Sequence, residues 1–79
     1  MYYAYILKSE NNDSYYTGAS HDLKRRIQEH NSGSVKYTKS KRPYKLVWYC
    51  AFINKEKAYS FERYLKSSSG HAFMKKRFL

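Results

Sequence analysis

YYAYILKSENNDSYYTG, residues 2–18, is the stretch from which the fold can be read. Its first six residues are apolar or aromatic on both alternating faces, the signature of a strand covered on both sides, so residues 2–8 are expected to be the middle strand of a sheet. Glu10, Asn11, Asn12 and Asp13 then form a turn cluster, and Tyr15, Tyr16 and Thr17 supply a second strand, which predicts an antiparallel hairpin ending at Gly18.

Working outward, Ser20 is positioned to cap a helix over residues 21–31, with Asp22 in its first turn and Gly33 as its stop. Residues 34–43, SVKYTKSKRP, are polar, basic and without a period, which predicts a loop. Residues 46–53 read as a third strand. Asn54 is expected to cap a second helix running through about residue 66, which the serines at 67–69 and Gly70 end; residues 71–79 then form a short helix or a basic tail. The order β-β-α-β-α-(α) predicts an α+β domain, a three-stranded antiparallel sheet flanked by helices, and 79 residues suffice for a single domain with a small core.

Cys50 is the only cysteine, so no internal disulfide forms, and no zinc-finger spacing occurs. The N-terminal apolar run is too short for a secretory signal and no run is long enough to span a membrane, which sets the expectation of a cytoplasmic protein without a membrane partner. Sixteen Lys and Arg against six Asp and Glu give a formal charge of +10, and so basic a surface points to a polyanion, nucleic acid above all.

On the first predicted helix, steps of about 100° place Leu23, Arg26, Ile27 and His30 in one stripe. On the second, Ala58, Phe61, Glu62 and Leu65 share a stripe. Removing Arg26, His30 and Glu62 from the solvated face is costly unless they are paired, hydrogen-bonded or metal-bound. One account is structural, an Arg26–Glu62 ion pair and a hydrogen-bonded core histidine; the other is a functional centre. Lys24, Arg25, Lys57 and Arg63 read as solvated, and Tyr2, Tyr15, Tyr49 and Tyr59 as packing residues. Tyr3, Tyr5 and Leu7 project to one face of the first strand, with Tyr16 beside them across the ladder.

Those residues carry a resemblance. Tyr3-Ala4-Tyr5, a short turn, and Tyr16-Thr17-Gly18 resemble the paired motif of the GIY-YIG endonuclease superfamily. Arg26 follows Gly18 by eight residues, His30 and Asn31 lie on the same helix, and Glu62 lies within AYSFERYLK. The chain is most similar to small stand-alone, UPF0213-like members, through YYAYIL, YYTG, DLKRRIQEHN, YTKSKRP and ERYLK, which together cover nearly its whole length. It departs from the family pattern with Tyr3 in place of glycine, Thr17 in place of isoleucine, and Ala19 where some members carry lysine.

The resemblance implies a metal-dependent endonuclease acting on nucleic acid, DNA before RNA. In that picture Glu62 holds a single Mg²⁺ or Mn²⁺, Arg26 binds the phosphate oxygens, and a tyrosine, Tyr5 first and Tyr16 second, is the general base. Since a tyrosine's reference pKa is about 10, nearby cations have to lower it, and His30, which titrates in the useful range unaided, is a competing or relaying group. Asn31, Tyr37, Thr38, Lys39, Lys41 and Arg42 are the candidates for contacting the nucleic-acid backbone. The alternatives are a binding module that keeps the fold without cleaving, and a small basic protein docked on a larger complex.

Overall fold

A computed structural model describes residues 1–77; the last two positions of the expected C-terminal tail, 78 and 79, lie outside the described residues. Strands β1 (Tyr2–Ser9) and β2 (Tyr15–Ser20) form the hairpin, followed by α1 (Leu23–Ser32), a 3₁₀ turn (Lys39–Lys41), β3 (Tyr44–Phe52), α2 (Lys55–Leu65) and α3 (Ser68–Arg77). The sheet is antiparallel in the order β2-β1-β3, so the first strand is central, as its two-sided apolar pattern requires.

Each face of the sheet has its own core. Tyr5, Leu7 and Tyr44 are buried together with Tyr16, Leu46 and the α1 residues Leu23 and Ile27. Ile6, Leu65 and Met74 are buried on the other face with Val47, Trp48, Phe61 and Phe73, from α2, α3 and β3. Leu46 and Trp48, two residues apart, belong on one face of a regular strand. They serve opposite cores because the β1–β3 register shifts between Ile6 and Leu7: Ile6 pairs with Trp48 and Leu7 with Leu46, leaving Val47 as the extra residue.

Several boundaries differ from the sequence reading, each for a local reason. Strand β2 continues through Gly18 to Ser20, because Ala4, Tyr5 and Tyr3 pair with Ala19, Gly18 and Ser20. The cap of α1 is Asp22, whose carboxylate accepts from the Arg25 N–H at 3.1 Å; Ser20 acts one step earlier, accepting from the Asp22 N–H at 3.0 Å. Gly33 ends α1 in the left-handed region, φ 86°, as expected. Strand β3 is shifted towards the N-terminus, starting at Tyr44 and leaving Ile53 outside it and 87% exposed.

Asn54 caps α2 as predicted, its Oδ1 accepting from the N–H groups of Glu56 and Lys57. The serine run does not trail into a tail: Ser67 caps α3, its hydroxyl oxygen accepting from the Gly70 N–H at 3.1 Å. Gly70 allows α3 to fold tightly against α2, since a Cβ there would lie 1.9 Å from the Tyr64 carbonyl oxygen. Among the described residues no helix is long and apolar enough to cross a membrane.

Candidate active site

The site is organised by a missing side chain. Tyr5 pairs with Gly18 across the hairpin, and a Cβ on Gly18 would lie 2.5 Å from the Tyr5 hydroxyl and 3.1 Å from the Tyr16 ring. Glycine therefore lets the Tyr5 ring lie across β2, and its hydroxyl reaches the edge of the sheet. The sequence reading takes Gly18 as the end of a strand pattern and the last letter of the second motif, without the room it makes for Tyr5.

At that edge the hydroxyl meets α1. It lies 3.2 Å from His30 Nε2, and the Arg26 guanidinium is near enough to lower its pKa. His30 is fully buried, and its Nδ1 lies 2.8 Å from the Thr38 hydroxyl, which in turn sits 3.4 Å from the Val35 carbonyl. A Thr38 hydroxyl that donates to Val35 accepts from Nδ1–H, leaving Nε2 unprotonated to accept from Tyr5. The Tyr16 ring covers His30 at 4.8 Å between centroids, and Tyr44 meets it from β3 at 6.0 Å.

Arg26 and Glu62 are not the buried ion pair that the helix stripes allowed. Arg26 pairs instead with Glu29 at 3.0 Å, three residues along its own helix, and Arg25 holds the second oxygen of Glu29 at 3.2 Å. Glu62 pairs with Lys66 at 2.5 Å, one turn further along α2. Both partners sit at the helical i,i+3 or i,i+4 spacing, a signal the sequence contained. Lys66 also places its ammonium 6.0 Å above the Tyr16 ring, joining α2 to the same edge. Glu62 is near enough for its negative charge to raise the Tyr5 pKa, and its side chain is only 14% exposed.

Two expectations from the sequence are corrected by electrostatics. Burial, reinforced by the Arg26 charge, pushes the His30 pKa down to about 4, so His30 neither titrates in the useful range nor supplies a cation to Tyr5. Burial likewise pushes Tyr5 up to about 12, although Arg26 acts in the opposite direction. Glu29, held by Arg26, stays below the usual carboxylate range.

This burial has a consequence for stability. The unfolded chain binds a proton at the ordinary histidine value of 6.5, whereas folded His30 resists protonation down to about 4. Between those values the unfolded state holds more protons, so stability falls as pH falls from 6.5 towards 4, by up to about 3 kcal/mol in all. Urea denaturation from pH 7 to 4 is expected to show this decline in the native chain and to lack most of it in His30→Gln. Parallel curves for the two proteins would contradict it.

The expected nucleic-acid contacts divide in the structure. Tyr37 is 73% exposed, Lys39 and Arg42 are exposed, and Lys41 is partly so, its ammonium 5.7 Å above the Tyr37 ring. Thr38, by contrast, is fully buried on His30 and offers no surface. Asn31 is also not a free contact: its Oδ1 accepts from the Tyr44 N–H at 2.6 Å and its Nδ2 donates to the Tyr44 carbonyl at 3.0 Å, tying α1 to β3. Thr38 and Asn31 are thus positioning residues, visible only once the chain is folded.

The donor set limits any metal. Among the described residues, no three His, Cys, Asp or Glu side chains cluster to hold an ion. A lone carboxylate still suits Mg²⁺ or Mn²⁺, which keep several waters and use one or two carboxylates together with substrate phosphates. Beside Arg26, a polar pocket of about 320 Å³, bordered by Ser20, Asp22, Arg25 and Tyr59, opens to solvent.

Comparison with known proteins places this geometry in context. Residues 1–77 match the family described as the GIY-YIG catalytic domain. The chain is 46% identical over 67 residues to the UPF0213 protein CPE1444 of Clostridium perfringens, covering 84% of this chain and 71% of that protein. It is 43% identical over 65 residues to a UPF0213 protein of Streptococcus pneumoniae, where it spans 65% of the relative's length, just under two thirds. The solution NMR structure of the UPF0213 protein BH0048 from Bacillus halodurans is 38% identical and superimposes with a TM-score of 0.57, over 96% of this chain and 84% of the other.

Proposed function

The chain belongs to the GIY-YIG catalytic domain family, and from that premise we propose that it hydrolyses phosphodiester bonds in nucleic acid, DNA before RNA, with one divalent ion. The observation that carries this reading is the meeting of Tyr5, Tyr16 and His30 beside β2, with Arg26 and the acid Glu62 near enough for their charges to act on the Tyr5 hydroxyl.

Glu62 is the residue that would hold Mg²⁺ or Mn²⁺, which when bound supplies Lewis-acid polarisation of the scissile phosphate. Lys66 has to release the Glu62 carboxylate for this, and with its side chain 53% exposed it can turn to a phosphate oxygen. Arg26 donates to the non-bridging oxygens, where negative charge grows in the transition state.

The base is a relay. A phenol with a pKa near 12 is protonated at any useful pH, so Tyr5 takes a proton from the attacking water only as it passes its own to His30 Nε2, 3.2 Å away. Thr38 holds the imidazole in the receptive tautomer. An anionic phosphate against Arg26 offsets the repulsion that disfavours imidazolium, and so raises the His30 pKa when substrate arrives. Tyr16 packs on the imidazole and is the second candidate for the proton-accepting role. Lys39, Lys41 and Arg42 track the backbone, and the exposed Tyr37 ring offers its face to a base beside them.

The Glu62–Lys66 pair favours one alternative, a module that binds nucleic acid without cutting because its acid is already neutralised. Incubation with branched, single-stranded and duplex DNA and with RNA, in Mg²⁺, Mn²⁺ or EDTA, separates the two. Cleavage is expected with metal and not in EDTA. Salt-dependent binding with no product on any substrate would establish the module instead, and cutting in EDTA would overturn the metal-dependent reading.

A further inference from the structure

Next to the site, between β2, the basic loop and the last two helices, lies a groove of about 620 Å³ lined by Tyr15, Tyr16, Tyr37, Lys66 and His71, with Met74 also on its wall. Its rings are more open than core packing requires: Tyr37 is 73% exposed, and Tyr15, expected from sequence to be a packing residue, is 37% exposed. The Tyr16 and Tyr37 rings stand 5.9 Å apart at 46°, as a partly open wedge. Each carries an ammonium over it, Lys66 above Tyr16 and Lys41 above Tyr37.

Rings alternating with lysines are the elements by which proteins hold unpaired strands, since every base has a face to stack while phosphates seek cations. A base between two rings needs roughly 7 Å, two van der Waals separations of about 3.5 Å. To reach this spacing the wedge has to open by about 1 Å and its rings to turn from 46° towards parallel, and Tyr37, so largely exposed, has room to move. Paired bases in a duplex stack on each other and present no such face. Tyr16 and Lys66 belong both to this groove and to the candidate active site, so a strand occupying one runs directly into the other.

We propose that the groove between Tyr16 and Tyr37 is a stacking subsite for an unpaired nucleobase, so that the strand offered to the active site is single-stranded next to the scissile phosphate. The proposal rests on the reading of the neighbouring site as directed at nucleic acid, and it names the substrate class of that site.

The test is fluorescence anisotropy in EDTA, which prevents metal-dependent cutting, with three labelled probes: a short oligothymidylate, a strand of the same length made wholly of abasic nucleotides, and a blunt DNA duplex. Tyr37→Ala is expected to weaken oligothymidylate binding roughly tenfold, and Tyr37→Phe, which keeps the ring, by no more than about twofold. Neither variant should alter binding of the abasic strand or the duplex. A Tyr37→Ala loss of equal size on all three probes, or no loss on any, overturns the subsite. If Mg²⁺-dependent cleavage occurs while binding ignores Tyr37, only this proposal fails; a chain that binds none of the probes overturns it together with the reading of the site.

Discussion

Glu62→Gln is expected to lower metal-dependent cleavage by about a thousandfold or more, corresponding to roughly 4 kcal/mol of transition-state stabilisation. The size follows from the donor set, because Glu62 is the acid at the converging edge and no cluster of three ligand-type side chains exists among the described residues to replace it. Glutamine keeps the shape and can still accept from Lys66 while removing the charge a hard cation requires. The fold should tolerate the change. A helical pair with Lys66 half exposed contributes only about 0.5 kcal/mol, so the melting temperature should move by no more than about 4 °C. Binding of DNA in EDTA should hold or tighten, because a negative charge has left a basic surface. A variant retaining more than about a tenth of the native rate, where a lost metal ligand predicts far less, would remove Glu62 from the chemistry.

The second large effect is expected at Arg26. Its planar fork bonds Glu29 on one side, and its charge acts on the Tyr5 hydroxyl beside it. Arg26→Lys keeps the charge but cannot reproduce the fork, and should reduce kcat by about a hundredfold; Arg26→Ala should reduce it by about a thousandfold, the range for losing a transition-state donor. A spectroscopic measurement distinguishes this role from general disruption. Because the Arg26 charge helps hold the His30 pKa near 4, an NMR titration should show that pKa rising in Arg26→Ala and staying depressed in Arg26→Lys. Alanine and lysine variants with equal His30 titrations and near-native rates would contradict the assignment.

Much of this was legible because it depends on neighbours in sequence. The central strand, the hairpin, the Asn54 cap and the Gly33 stop all follow from local patterns that folding preserved. The helical period also identified Arg26, His30 and Glu62 as residues on the wrong face for solvent. Of the two accounts left open for them, the Arg26–Glu62 ion pair does not form: Glu29 and Lys66, near neighbours on the same helices, hold those charges instead. Lys66 in particular bears on both the acid and the proposed base subsite, although the sequence marks it only as the approximate end of the second helix.

The chain's order of residues by itself determined the α+β architecture and the excess of basic charge, because periodicity and net charge are properties of the string. Tertiary structure alone decided that Gly18 makes room for the Tyr5 ring, that Thr38 meets the buried His30 ring, and that Asn31 staples α1 to β3. It also decided the direction in which burial moves Tyr5 and His30. A histidine expected to titrate near neutrality is held near 4 and a tyrosine expected to be lowered is raised to about 12, since desolvation depends on what packs around a group and no local pattern reports that.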